Sequence, residues 1–228
     1  MIKRNVLLIL GLATLLFATP TTQIWNPATD VQAAGTYHIG IDSYFVQNGA
    51  LSAATIFPTD LGLEYGVLPG LEVGLDMFLP NGDSPLALNA KYALAESKTL
   101  PVSVAVGVFG FGIKGNDDIV TDTKVFYGLL SKNTDFGRLS AGAFLGNSKA
   151  VLNAPDADNK GIMLTWDKAI NDKLWVCVDY AGSKSQLGYL FAGFSWAFSS
   201  NTSVIVGYGL PNNTASQPLL TTQLDINL

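Results

Sequence analysis

Past residue 34 the chain alternates in polarity with a period of two almost to its last residue, and no other feature constrains its fold as much. In an extended strand successive side chains point to opposite faces, whereas a helix would bring them round every ~3.6 residues. The C-terminal run shows the pattern most clearly. Leu220, Thr222, Leu224, Ile226 and Leu228 share one face, and Thr221, Gln223, Asp225 and Asn227 share the other. The same division recurs where Leu71, Val73, Leu75 and Met77 alternate with Glu72, Gly74 and Asp76. It recurs again where Leu190, Ala192, Phe194, Trp196 and Phe198 alternate with Phe191, Gly193 and Ser195. No segment beyond residue 34 sustains a helical period between caps, so the chain reads as all-β.

Gly, Pro, Asn, Asp and Ser clusters divide this region into twelve runs: 36–46, 59–67, 70–79, 85–95, 102–113, 122–132, 138–148, 161–168, 173–182, 187–198, 203–210 and 218–228. A strand tilted across a bilayer needs about 9–11 residues, close to the length of most of these runs. The connections after odd-numbered runs average about 8 residues and those after even-numbered runs about 4, the contrast between outer loops and periplasmic turns. Charged residues make up only 14% of the chain, few for a surface that is wetted all round. The polar face is largely Gly, Ser, Ala and a few charges, which suits a confined interior better than the wet side of a secreted sandwich. The expected architecture is a single antiparallel up-and-down transmembrane β-barrel of about twelve strands. Tyr37, Tyr65, Phe78, Tyr127, Trp166, Tyr180, Trp196, Phe198 and Tyr208 fall near strand ends, where interfacial girdles belong.

Ahead of the strands lies a different kind of segment. Lys3 and Arg4 precede an apolar core over residues 6–17 and then small residues, the layout of a cleaved signal peptide. Its core is too short for a spanning helix, which takes about 20 residues. The expected division is a signal peptide over 1–22, a periplasmic lead-in over 23–35 and a barrel over 36–228. Cleavage near Ala18 and cleavage as late as Ala33 or Ala34 are both open.

The whole exported chain resembles the bacterial outer-membrane β-barrel class, and its last strand is the most specific part. Thr222-Gln223-Leu224-Asp225-Ile226-Asn227-Leu228 resembles the C-terminal signal read by the barrel-assembly machinery, with Leu228 where Phe or Trp is usual. Gln23-Ile24-Trp25-Asn26-Pro27-Ala28-Thr29-Asp30 resembles the opening of other barrels of this kind. The resemblance implies an outer-membrane location, with both termini in the periplasm. It implies outer-membrane lipid, lipopolysaccharide and the assembly machinery as partners, and a small solute or a second copy of the chain as further candidates.

Chemistry on the polar face is sparse. His38, Asp42, Glu64, Glu72, Asp76, Lys91, Lys124, Asp167, Asp179 and Asp225 stand there. Carboxylates around a pore attract cations and repel anions, so these residues, His38 aside, are the candidate pore lining. A closed barrel, in which the same groups bond one another and the protein docks a partner, is the competing reading. The lone histidine has no Gly-x-Ser-x-Gly motif to serve, so an enzyme is not expected. Cys177 has no metal-ligand spacing around it, and no metal or cofactor is expected. Eighteen acidic residues against 13 basic ones exclude a nucleic-acid partner, which needs a basic stripe.

Overall fold

The computed structural model describes residues 21–46, 59–79, 86–113, 122–152 and 154–228. Twelve strands close into one antiparallel barrel, each paired with its neighbours in sequence and β1 with β12. The strands are β1 Tyr37–Val46, β2 Thr59–Leu68, β3 Leu71–Leu79, β4 Leu86–Leu94, β5 Ser103–Gly112 and β6 Val125–Thr134. They continue as β7 Gly137–Leu145, β8 Lys160–Ala169, β9 Leu174–Gly182, β10 Tyr189–Ala197, β11 Thr202–Pro211 and β12 Leu219–Asn227, with a one-turn helix α1 at Ser148–Val151. Each of the twelve runs expected from the sequence holds one strand. Tyr37 and Leu228 exchange backbone hydrogen bonds of 2.9 and 2.8 Å, so β1 and β12 close the barrel at the end that carries the short turns.

Parity sets the two faces. On β5, Val106 is 55% exposed and points outward while Ala105 is 1% exposed and points inward. Leu63, Leu88, Leu130, Leu164 and Phe194 continue the outward apolar belt. Tyr37, Trp196, Phe198 and Tyr208 are exposed near strand ends, as expected. Two of the aromatics expected there are not in a girdle. Tyr127 is buried inside the barrel beside Leu129, and Phe78 lines an internal cavity, because each shares the parity of its inward neighbours.

The two largest boundary shifts, three residues each, are at the end of β7, at Leu145 rather than 148, and at the start of β6, at Val125 rather than 122. The late start of β6 lies beside a β-bulge in β5. Leu88 pairs with Phe111 but Ala90 with Val108, so Asn89 faces two residues, and Gly110 takes a φ of +65° that a side chain would resist. The chain that returns over the bulge bends to suit it. Asp122 accepts from the Gly112 amide at 2.8 Å, and Lys124 adopts a φ of 42°. The glycine-rich stretch is therefore a bend in a strand. At the opposite end, in the β4–β5 connection, Glu96 bonds Lys132 and then the Asn133 amide, and these bonds hold its carboxyl below the usual carboxylate range. That contact lies at the surface and fixes a turn rather than the fold.

Residues 21–34, expected as a lead-in outside the barrel, lie within it. Ile24, Ala28 and Gln32 are all at most 5% exposed. The apolar core is accordingly inside the lumen, in two clusters that this segment joins. Ile24 packs with Trp175, Cys177, Tyr189, Phe191, Ile205 and Leu219. Val31 and Trp25 pack on a second group around Tyr127, Leu129, Phe144 and Met163. The expected signal segment over 1–22 lies almost wholly outside the described residues.

Candidate functional site

The inserted segment is built as a hooked plug. Ala34 forms a parallel bridge to Gly66, and from there the chain runs into the lumen. Its tip closes through a bridge between Thr22 and Pro27 and a 2.8 Å bond from the Gln23 amide to the Asn26 carbonyl. That turn aims three backbone amides at one point. The Asp179 carboxylate on β9 occupies it, accepting from Ile24, Trp25 and Asn26 at 3.1, 2.8 and 3.1 Å. Consecutive amides of this kind form an anion nest, and charge-assisted bonds of about 1.5–3 kcal/mol each offset the cost of burying Asp179. The Trp25 ring stacks on Phe191 with centroids 5.2 Å apart and meets Tyr44 edge-on, while its indole donates to the Leu187 carbonyl at 2.8 Å.

Two further carboxylates hold the stem. Asp167 accepts from Gln23 at 3.0 Å, Trp175 at 3.0 Å and Arg138 at 2.9 Å, and Arg138 also bonds Asp30. Glu72 pairs with Lys91 at 3.1 Å and accepts the Gln32 amide at 2.7 Å, and Lys91 donates to the Thr21 carbonyl at 3.0 Å. Glycine makes room at the tip, since a Cβ on Gly207 would come within 2.7 Å of Ile24.

The plug packs mainly on the wall from β6 round to β12 and leaves a cavity of about 270 Å³ lined chiefly by the strands from β12 round to β5, with Tyr127, Phe144, Met163 and Ala181 reaching in from β6 to β9. The inner surface there is acidic. Asp42, Asp60, Glu64, Asp76 and Asp225 line it, with His38 among them. The register explains their grouping: Asp42 faces Asp60, His38 faces Glu64, and Gly62 faces both Gly40 and Asp76. A Cβ on Gly62 would meet Glu64 Oε1 at 3.2 Å and Asp76 Oδ1 at 3.5 Å, so these two carboxylates converge over a glycine floor. Asn89 donates to Asp76 at 2.6 Å and accepts from the bulged Gly110 amide at 3.0 Å, which ties the bulge to the site. His38 bonds Asn227 at 3.1 Å and stands 3.6 Å from Asp225. One oxygen each of Asp42, Asp60, Glu64 and Asp225 has no hydrogen-bond partner among the described residues.

The candidate lining thus divides into three. Asp42, Glu64, Asp76 and Asp225 lie together on the cavity wall; Glu72, Asp167 and Asp179 hold the plug, with Lys91 bonded to both Glu72 and the plug's Thr21. Lys124 stands apart from both groups, paired with Asp122 at 3.0 Å and lying over the outward-facing Phe111 ring. Sequence reasoning missed Asp60, although it shares the parity of Glu64. It also missed Arg138, Gln23, Gln32 and Gln223, whose amide donates to the Ile24 carbonyl at 2.7 Å.

Solved structures share this architecture. A KdgM porin superposes with a TM-score of 0.56 at 12% identity, covering 83% of this chain and 98% of its own. A KdgM porin in complex with disordered oligogalacturonate gives 0.51 at 11% identity, over 84% and 98%. The chain has the fold of an outer-membrane porin barrel. The Acinetobacter baumannii outer membrane protein Omp33 is also similar, with a TM-score of 0.48 at 11% identity over 85% of this chain and 98% of its own. No protein-family model matches the sequence. No curated protein matches it either.

Proposed function

We propose that this porin-type barrel is a narrow, cation-preferring channel for small solutes or ions, with its path running beside the N-terminal plug rather than through an empty lumen. The observation that carries this reading is the asymmetry of the interior. Three carboxylates are consumed in holding the plug, and five others line the cavity that the plug leaves. An excess of carboxylates in a confined, low-dielectric passage draws cations in and keeps anions out. The termini and short turns face the periplasm in this reading, so the plug enters from that side. The oligogalacturonate held by the KdgM porin is not carried over as a solute, because its uronate groups would meet like charge at Asp42, Asp60 and Glu64.

Planar-bilayer recording of the refolded protein in a KCl gradient tests the proposal. The expected result is a small steady conductance whose reversal potential favours K⁺. The triple variant Asp42→Asn, Glu64→Gln, Asp76→Asn should lose most of that preference. A correctly folded barrel that stays silent would sink the channel reading in favour of a closed, partner-docking barrel, and an unchanged reversal potential in the triple variant would remove the carboxylates from selectivity.

A further inference from the structure

The acidic wall is only one side of the cavity. Across the lumen, on β5 to β7, stand Phe109, Tyr127 and Phe144, and Trp25 of the plug closes the gap between them and the carboxylates. A site with carboxylates on one face and aromatic rings on the other is not matched to a bare ion. Among the described residues no group of His, Cys, Asp and Glu is disposed to hold a metal. The carboxylates are spread along a trough and converge in a pair over Gly62, with Glu64 8% exposed, lining the cavity and holding one oxygen, Oε2, that has no hydrogen-bond partner among the described residues.

We propose that this cavity binds a small primary amine with an apolar body, its ammonium seated at Glu64 and Asp76 over Gly62 and its body against Trp25, Phe109 and Phe144. An ammonium carries three donors and no acceptor, which suits a group of carboxylate oxygens that lack donors. A charged donor is the natural partner for a buried carboxylate that would otherwise stay unpaired. Aromatic faces add cation–π attraction and take up the apolar part. Size sets the scale: a cavity of about 150 Å³ accepts benzene, so the present one holds about ten non-hydrogen atoms. The inference deepens the channel reading and rests on the same acidic lumen.

Phenethylamine is a probe of this size, with 2-phenylethanol as its neutral counterpart and phenylacetate as its anionic one. Titration calorimetry on the detergent-refolded full chain at low ionic strength should show saturable binding of the amine. The alcohol and the acid should bind at least about tenfold more weakly, as the loss of a charge-assisted bond implies. Glu64→Gln should weaken amine binding about tenfold or more, while Asp156→Asn, on an exposed loop, should not change it. Asp42→Asn, on the same trough, should weaken the amine in the same sense and serves if Glu64→Gln does not fold. Equal binding of amine and alcohol, or binding indifferent to both trough variants, would overturn the proposal. Binding does not require conduction, so the two readings fail separately. A silent barrel that selects the amine keeps the site and loses the channel, whereas a cation-selective channel that ignores the amine keeps the channel and loses the site.

Discussion

Two halves of one lumen, built on the same alternation, have been put to opposite uses. From β6 round to β11 the inward positions carry large apolar groups, with Trp175, Tyr189 and Phe191 covered by the N-terminal segment and Tyr127, Phe144 and Met163 reaching the edge of the cavity. The two carboxylates there, Asp167 and Asp179, are bonded to that segment. From β1 round to β3 the inward positions mix carboxylates with glycines, as at Asp42, Gly62, Glu64, Gly74 and Asp76, with Asp225 beside them on β12, and this wall forms the acidic side of the cavity. An apolar wall exposed to water in a pore would lose the hydrophobic contribution of about 25 cal/mol per Å² that covering it supplies. An acidic wall loses charge hydration when covered and gains nothing of the kind. The plug therefore sits where burial is favourable, and the open side is the side where burial would be costly. In this barrel the interior chemistry decides which half is packed as core and which half borders the cavity.

The contrast between the two halves disappears if the plug is absent from the exported protein. Cleavage at Ala33 or Ala34 would remove it whole, whereas the contacts of Thr21, Gln23 and Trp25 require cleavage ahead of Thr21. Mass spectrometry of the protein taken from the outer membrane should give a first residue between about 19 and 21 on the small-residue rule for cleavage. A chain that begins at Ala34 or Gly35 would turn the apolar half into open wall and end the account. A smaller change sharpens it. Asp179→Ala removes the acceptor of three buried amides, a loss of about 1–3 kcal/mol for each group left unpaired. The tip should loosen, conductance should rise and the current should grow noisier, while cation preference persists because the acidic wall is untouched. Unaltered current would mean that Asp179 does not anchor the tip.

Much of this barrel was legible in the sequence because strand parity is a local property. The positions of Asp42, Glu64, Asp76 and Asp225 on the inward face follow from their neighbours, and Asp60 follows from the same count. The plug was not legible, for physical reasons. Residues 23–34 have neither alternation nor helical period, and the groups that hold the tip lie far along the chain, Asp179 being 155 residues from Ile24. Without that segment in place, Asp167 and Asp179 on an inward face look no different from Asp42 and Asp76. Lys124 was misplaced because the odd positions of β6, from Val125, face inward, and Lys124 lies just ahead of the strand with the parity of the outward-facing Phe126.

The most direct measurement compares access to the two halves with one small cationic thiol reagent. The native thiol at Cys177 is buried in the apolar cluster beneath Ile24, whereas a cysteine placed at Gly62, in a Cys177→Ser background, would sit on the floor of the acidic trough. The expected result is rapid labelling of Gly62→Cys and none of Cys177 in the folded protein, with Cys177 becoming reactive once residues 21–32 are deleted. Labelling of Cys177 in the intact folded chain, or a Gly62→Cys thiol that never reacts, would contradict a lumen plugged on one side and open on the other.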